Sequence, residues 1–245
     1  LEAEISMVGK LLGGRGRLRR LSFGGGSPNA IPPIAFVRLV DRILTMVQGP
    51  QPEISIEVDP RALTPEWALT LAAAQVTRVS FGVQSFAPDV QAAIGRIQPF
   101  EMIESCMASL RMRGVTKINF DLMYGLPGQS MDDLDQTIDQ VITLKPSRIA
   151  LFGYAHLPSQ FPRQKRIDSA TLPDADMRFR QSEHGYCRLV DAGYRAIGFD
   201  HFALPDDGLA IAAEDGRVHR NFQGFTDDPS KTVIGLGASA ISIFP

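Results

Sequence analysis

The stretch KINFDLMYGLPGQ at residues 117–129 begins as an apolar run, Lys117–Met123, and closes on glycine and proline. A short run of this kind, bounded by turn residues, reads as a buried strand. A helical pattern follows at Met131–Leu144, then a second apolar run at Arg148–Gly153. Strand, helix and strand in that order imply a parallel pair with a helical crossover. The rhythm extends in both directions. Further strands are expected at Leu18–Phe23, Glu53–Val58, Arg78–Val83 and Tyr194–Phe199, and further helices at Ile34–Val47, Pro65–Ala74, Phe100–Arg113 and Asp174–Ala192. Thr64, Pro65 and Glu66 supply a cap, a first-turn proline and an acid at the positive end of the dipole. The fold class is therefore α/β, with a mainly parallel sheet either wound open or curled into a barrel. The chain opens at Leu1 rather than a methionine, and residues 1–12 already carry helical spacing, as though the sequence began inside a helix. A piece of a longer protein is expected.

Composition sets outer limits. With 245 residues, 44% hydrophobic and 21% charged, the chain is long enough to bury roughly 70–75% of its unfolded surface in one large domain. Its 25 basic and 27 acidic residues nearly cancel, so no broad field draws it to nucleic acid or to an anionic membrane. The apolar runs fall far short of the roughly 20 residues a membrane-spanning helix needs. Cys106 and Cys187 lie far apart with no CxxC spacing, which points to a reducing compartment, the cytoplasm.

Unusual polar residues collect just after the expected strands: FGGGSP at 23–28, EVDP at 57–60, GVQSF at 82–86, DLMYGLPGQ at 121–129 and YAHLP at 154–158. In parallel α/β folds the C-terminal ends of the strands host the ligand. The glycines at 24–26 match neither a dinucleotide nor a triphosphate pattern; they make a tight turn or bare backbone for a ligand. Glu57 suits a ribose diol or a surface ion pair, and Asp59 before Pro60 suits a turn. Gln84 offers two donors and an acceptor, and Arg96 a bidentate clamp. Asp121 lies between Phe120 and Leu122, where a carboxylate needs a partner. His156 and His201 read as satisfied structural histidines, and no histidine pair has metal-ligand spacing. Met102, Met107 and Met112 read as core or groove filling on one helix. The segment from His156 to Pro173 is long enough for a lid or a binding loop.

Together FGGGSP, EISIEVDP, SFGVQSF, FDLMYGLPGQ, YAHLP, GFDHFALPDD and HRNFQGFT resemble the oxygen-independent coproporphyrinogen III oxidases, a radical S-adenosylmethionine family of haem biosynthesis. The resemblance runs over nearly the whole chain. It implies a partial (β/α)6 barrel over residues 1–245, without its first strand or the family's C-terminal helical region. It also implies a [4Fe-4S] cluster and S-adenosylmethionine at the C-terminal edge of the sheet. By correspondence of motifs, Gly25, Gly26, Ser27, Glu57, Gln84, Arg96, Asp121, Ala155 and Ile241 would contact S-adenosylmethionine.

The implied reaction removes a hydrogen from the β-carbon of a substrate propionate by a 5′-deoxyadenosyl radical. Loss of carbon dioxide from two propionates then converts coproporphyrinogen III to protoporphyrinogen IX. The cofactor carries that chemistry and the protein orients it. Arg163, Lys165, Arg166, His219 and Arg220 lie in the two segments specific to the oxidases and are expected to receive the propionates. An electron-donor protein is the implied partner, with no nucleic acid, no membrane and a monomeric enzyme. The family's CxxxCxxC motif is not found in this chain, and the resemblance implies that the cluster cysteines lie upstream of Leu1. Cys106 and Cys187 cannot replace them, so no metal ligand is assigned here and the chain by itself is expected to be inactive. The alternative is the related haem chaperone, but no HNxxYW-like stretch accompanies His219.

Overall fold

The computed structural model describes residues 1–221 and 224–245; Phe222 and Gln223, at the centre of HRNFQGFT, lie outside the described residues. The chain divides into two compact units.

The first unit comprises residues 1–80, 108–117 and 228–245. Its elements are α1 (Glu2–Leu12), β1 (Arg20–Phe23), α2 (Pro33–Leu44), β2 (Glu53–Val58) and α3 (Pro65–Ala73). Leu1 stands at the N-cap of α1, where its carbonyl accepts from the Ile5 amide at 2.9 Å, so the helical spacing of residues 1–12 is a helix as expected. Strands β1 and β2 run parallel, with Arg20 opposite Glu53 and Phe23 opposite Ile56. In β2 the period of two buries Ile54, Ile56 and Val58 and leaves Glu53 and Glu57 exposed. Phe36 of α2 contacts Phe23 and Trp67 at centroid separations of 4.9 and 5.5 Å, making an aromatic core. The start signal at 64–66 holds: the Thr64 hydroxyl accepts a hydrogen bond from the Trp67 amide at 3.2 Å.

The second unit comprises residues 81–107 and 118–227. Strand β3 (Arg78–Gln84) begins in the first unit and ends in this one. Then come α4 (Pro88–Ala93), α5 (Phe100–Arg111), β4 (Lys117–Tyr124), α6 (Met131–Leu144), β5 (Arg148–Gly153), α7 (Ala175–Asp191), β6 (Arg195–Ile197), β7 (His201–Ala203), α8 (Gly208–Glu214), β8 (His219–Asn221) and β9 (Gly224–Thr226). A capping box opens α6, with Ser130 and Asp133 bonding each other's backbone amides. Phe81 and Phe120 are fully buried, their rings 6.3 Å apart, and Met107 is buried with them. Met112 is a correction to the sequence reading: it lies beyond the last residue of α5 and is 79% exposed.

The seven strands of the main sheet hydrogen-bond in the order β1, β2, β3, β4, β5, β7, β6. β4 and β5 are parallel, with Asp121 opposite Ala150. The sequence reading places one strand at Tyr194–Phe199; the structure has two short ones there, and β7 runs antiparallel to both β5 and β6. The reversal occurs at Gly198, whose φ of +70° lies in the left-handed region that favours glycine. A separate hairpin, β8–β9, follows. Among the described residues no helix is long and apolar enough to cross a membrane.

The two cysteines differ sharply. Cys106 is buried on α5, and burial pushes its thiol up to about 11; Cys187 on α7 is exposed. A thiolate-specific reagent at pH 8 is expected to modify one cysteine in the native chain and two after denaturation. Fast modification of both in the native state would show α5 to be unpacked. Because the folded chain disfavours the Cys106 thiolate, its contribution to stability is complete below the unfolded pKa of about 9 and is lost as pH rises toward 11.

Candidate functional site

In the first unit the glycine turn after β1 is shaped by a carboxylate from β2. A Cβ on Gly24 would lie 2.8 Å from Glu57 Oε1, so a side chain there would push the carboxylate aside. The Gly25 amide donates to Glu57 Oε2 at 3.3 Å, and Gly25 takes a φ of +101°. Gly26 has open space around it, and Ser27 is exposed just before the short helical turn Pro28–Ala30. The loop that carries Ile241 comes to the same place, because Ser239 Oγ would lie 3.8 Å from a Cβ on Gly25. That loop is closed by the bridge of Val233 with Ile243, by the Gly235 backbone against Ile241, and by the Gly237 amide donating to Glu4. Ile241 itself is 51% exposed. The structure thus gathers Gly25, Gly26, Ser27, Glu57 and Ile241 from separate stretches of sequence.

In the second unit the polar groups converge on Gly82. Its carbonyl accepts from Arg96 Nε at 3.0 Å and from Gln98 Nε2 at 3.1 Å. A Cβ at this position would meet Gln84 Nε2 at 2.9 Å and Arg96 Nη2 at 3.2 Å, so the missing side chain lets both heads lie over bare backbone. Gln84 adopts a φ of +69°, a left-handed conformation that costs a non-glycine residue roughly 1–2 kcal/mol. Its Oε1 is buried and, among the described residues, lacks a hydrogen-bond partner, as does Oε1 of Gln98. Each unmet acceptor costs about 1–3 kcal/mol. Strain and orphaned acceptors together at one strand end describe a surface awaiting donors.

A buried amide holds this arrangement. Gln91 donates to the carbonyls of Ser85 and Gln98 and accepts from the Gln98 amide at 2.9 Å. Sequence reasoning missed Gly82, Gln91 and Gln98: a glutamine before a proline looks like any loop residue, and only the fold reveals what it faces. Asp121 is half-buried in β4 and is engaged by neighbouring groups, as a carboxylate between Phe120 and Leu122 must be.

The segment after β5 joins two sequence-predicted sets. The Ala155 carbonyl accepts from Gln164 Nε2 at 3.0 Å, and the Gln164 side chain also accepts from the Leu157 amide. Gln164 lies in the short 3-10 helix Pro162–Arg166, so YAHLP is tied to Arg163, Lys165 and Arg166, all exposed. With three residues per turn, Arg163 and Arg166 share a face and Lys165 does not. His156 is satisfied as expected, with Nδ1 3.2 Å from the Tyr154 hydroxyl and Nε2 3.0 Å from Ser169 Oγ. Burial raises the Tyr154 phenol above its ordinary range. Farther along, His219 and Arg220 are exposed on β8.

Comparisons with known proteins show the family to which the chain belongs. Residues 2–141 match the model of the Radical SAM superfamily. The chain belongs to the Radical SAM superfamily, whose members use S-adenosylmethionine and a [4Fe-4S] cluster. Among its relatives, the oxygen-independent coproporphyrinogen III oxidase of Bradyrhizobium diazoefficiens is 42% identical over 100% of this chain and 55% of its own length. That of Pseudomonas aeruginosa is 40% identical over 99% and 53%. The solved coproporphyrinogen III oxidase of Escherichia coli, described as a Radical SAM enzyme, superposes with a TM-score of 0.94 at 38% identity, covering 99% of this chain and 56% of that one. The chain therefore spans about half the length of the relatives it matches.

S-adenosylmethionine fits the residues present. Its ammonium and adenine amino groups are donors for the orphaned glutamine oxygens, its carboxylate suits Arg96, and its ribose diol suits a carboxylate. The cluster does not fit. Iron–sulfur clusters are held by several thiolates, whereas this chain has one buried and one exposed cysteine on separate helices. Among the described residues no group of three histidine, cysteine or acidic side chains converges to hold a metal.

Proposed function

We propose that this chain supplies the S-adenosylmethionine-binding and porphyrinogen-binding surfaces of an enzyme that converts coproporphyrinogen III to protoporphyrinogen IX without oxygen. The observation that carries the reading is Gln84, strained and with a buried unmet acceptor, lying with Arg96 over the bare backbone of Gly82. In the first unit Glu57 and the amides of Gly25, Gly26 and Ser27 hold polar parts of the cofactor, with Ile241 against it. In the second unit Gln84, Arg96 and Asp121 do so, with Ala155 against the cofactor. When bound, S-adenosylmethionine supplies a hydrogen-abstracting group; the residues here bind it, orient it and keep water away. Arg163, Lys165, Arg166, His219 and Arg220 neutralise the substrate's propionates. An electron-donor protein serves a monomeric enzyme in the cytoplasm.

Calorimetric titration of the chain with S-adenosylmethionine tests the cofactor half of this reading. Arg96→Ala and Asp121→Ala should each weaken binding on the order of tenfold or more, because a charge-assisted contact is worth about 1.5–3 kcal/mol. Gln98 still donates to the Gly82 carbonyl in Arg96→Ala, and thermal melts of both variants separate lost affinity from lost folding. Unchanged affinity beside a collapsed melting temperature would make these residues structural and sink the assignment.

A further inference from the structure

The β8–β9 hairpin carries an arginine whose head group is built into position. Arg220 stands opposite Phe225 in the hairpin register. Its guanidinium carbon lies 5.4 Å from the centroid of the Phe225 ring and 5.7 Å from that of Phe199. The Phe225 ring is itself fixed. His201 meets it edge-on at 5.3 Å, and the same imidazole contacts Phe152 at 5.6 Å while its Nδ1 lies 2.7 Å from Asp200 Oδ1. Two glycines make room for the stack: a Cβ on Gly198 would lie 2.6 Å from Phe225 Cζ, and one on Gly224 3.1 Å from His201 Nε2.

Other arginines of this region are neutralised. Arg217 pairs with Asp215, Arg195 with Glu214 and Arg148 with Asp207. Arg220 is exposed, and among the described residues it has no carboxylate partner. An arginine stacked on rings presents its face to them and keeps its N–H donors in the plane, where they match a carboxylate bidentately. The hairpin also separates the two cations of HRNFQGFT. Neighbours on a strand point to opposite faces, so His219, opposite Thr226, does not share the face of Arg220.

We propose that Arg220 is the carboxylate anchor for a propionate of the porphyrinogen, and that Phe199 and Phe225 are positioning residues that hold its guanidinium for a bidentate contact. The inference rests on the substrate reading above and narrows it from five cations to one built site.

Fluorescence titration of the chain with coproporphyrin III and with its tetramethyl ester tests it. The wild-type chain should prefer the tetra-acid. Arg220→Ala should weaken the tetra-acid about tenfold or more and leave the ester unchanged, whereas Arg217→Ala, which removes a cation already paired with Asp215, should change neither. Phe199→Leu should weaken the tetra-acid about threefold, the size expected of an exposed cation–π contact, and Phe199→Tyr should restore it. Phe199 is 70% exposed, so this pair reads positioning without unpacking the core. Phe225→Tyr against Phe225→Leu repeats the comparison at the half-buried ring. A wild-type preference that survives Arg220→Ala overturns the anchor and leaves the substrate reading standing. A chain that binds neither porphyrin overturns both, and the S-adenosylmethionine titration reports separately on the cofactor.

Discussion

Gln84→Gly should make the protein more stable and at the same time unable to hold its cofactor. The two effects have separate origins in one residue. Gln84 sits at a φ of +69°, where a side chain costs roughly 1–2 kcal/mol and glycine costs little. Its Oε1 is also buried without a donor, at a cost of about 1–3 kcal/mol that truncation removes. Against these gains stands the extra backbone entropy of glycine in the unfolded chain, about 0.5–1 kcal/mol. The net expectation is a gain of roughly 1–4.5 kcal/mol, visible as a shift of the denaturant midpoint at constant slope. Affinity for S-adenosylmethionine should fall on the order of tenfold or more, because the group awaiting a donor has gone. Opposite movement of stability and affinity is the signature of strain kept for a ligand. A variant that loses stability would show that Gln84 supports the strand end, and one that binds normally would place the ligand elsewhere.

Phe120→Ala is expected to cost about 3–5 kcal/mol of stability. Phe120 is fully buried in β4 and packs on Phe81 of β3 at 6.3 Å. It also flanks Asp121, so the cavity opens beside a carboxylate that the strand must keep engaged. A total stability of about 5–15 kcal/mol makes such a loss severe. Chemical denaturation of Phe81→Ala, Phe120→Ala and the double variant would show the pair coupling, with the double variant costing less than the sum. A loss below about 1 kcal/mol for Phe120→Ala would mean that this part of the sheet is not the core.

The fold was legible where one physical signal dominated. The apolar alternation of EISIEV marked β2 at Glu53–Val58, and the run Arg148–Gly153 marked β5, both to the residue. Helix α6 was equally clear, its helical pattern marking Met131–Leu144 to the residue. The end of the sheet was not legible. Three-residue strands such as β6 and β7 carry too few alternations to show a period, and Gly198 between them gave no sign that the chain reverses there.

The site divided in the same way. Gly25, Glu57, Gln84 and Arg96 stood out as polar residues after apolar runs, and the resemblance tied them to a cofactor. Gln98 and Gln91 did not stand out, because a neutral amide on a loop carries no pattern until its partners are brought to it. The stacking of Arg220 depended on Phe199 and Phe225, and nothing in their spacing along the chain announced it.

Neutral amides fasten two turns of the second unit. Gln91 fastens the turn after β3, and Gln181 of α7 accepts from the Gly125 amide and donates to the Gln129 carbonyl, fastening the turn after β4. An amide neither titrates nor attracts counterions, so acidification or added salt leaves these two fastenings unmoved while it acts on the charged groups around them. Such a protein can vary its grip with conditions while these two turns keep their shape.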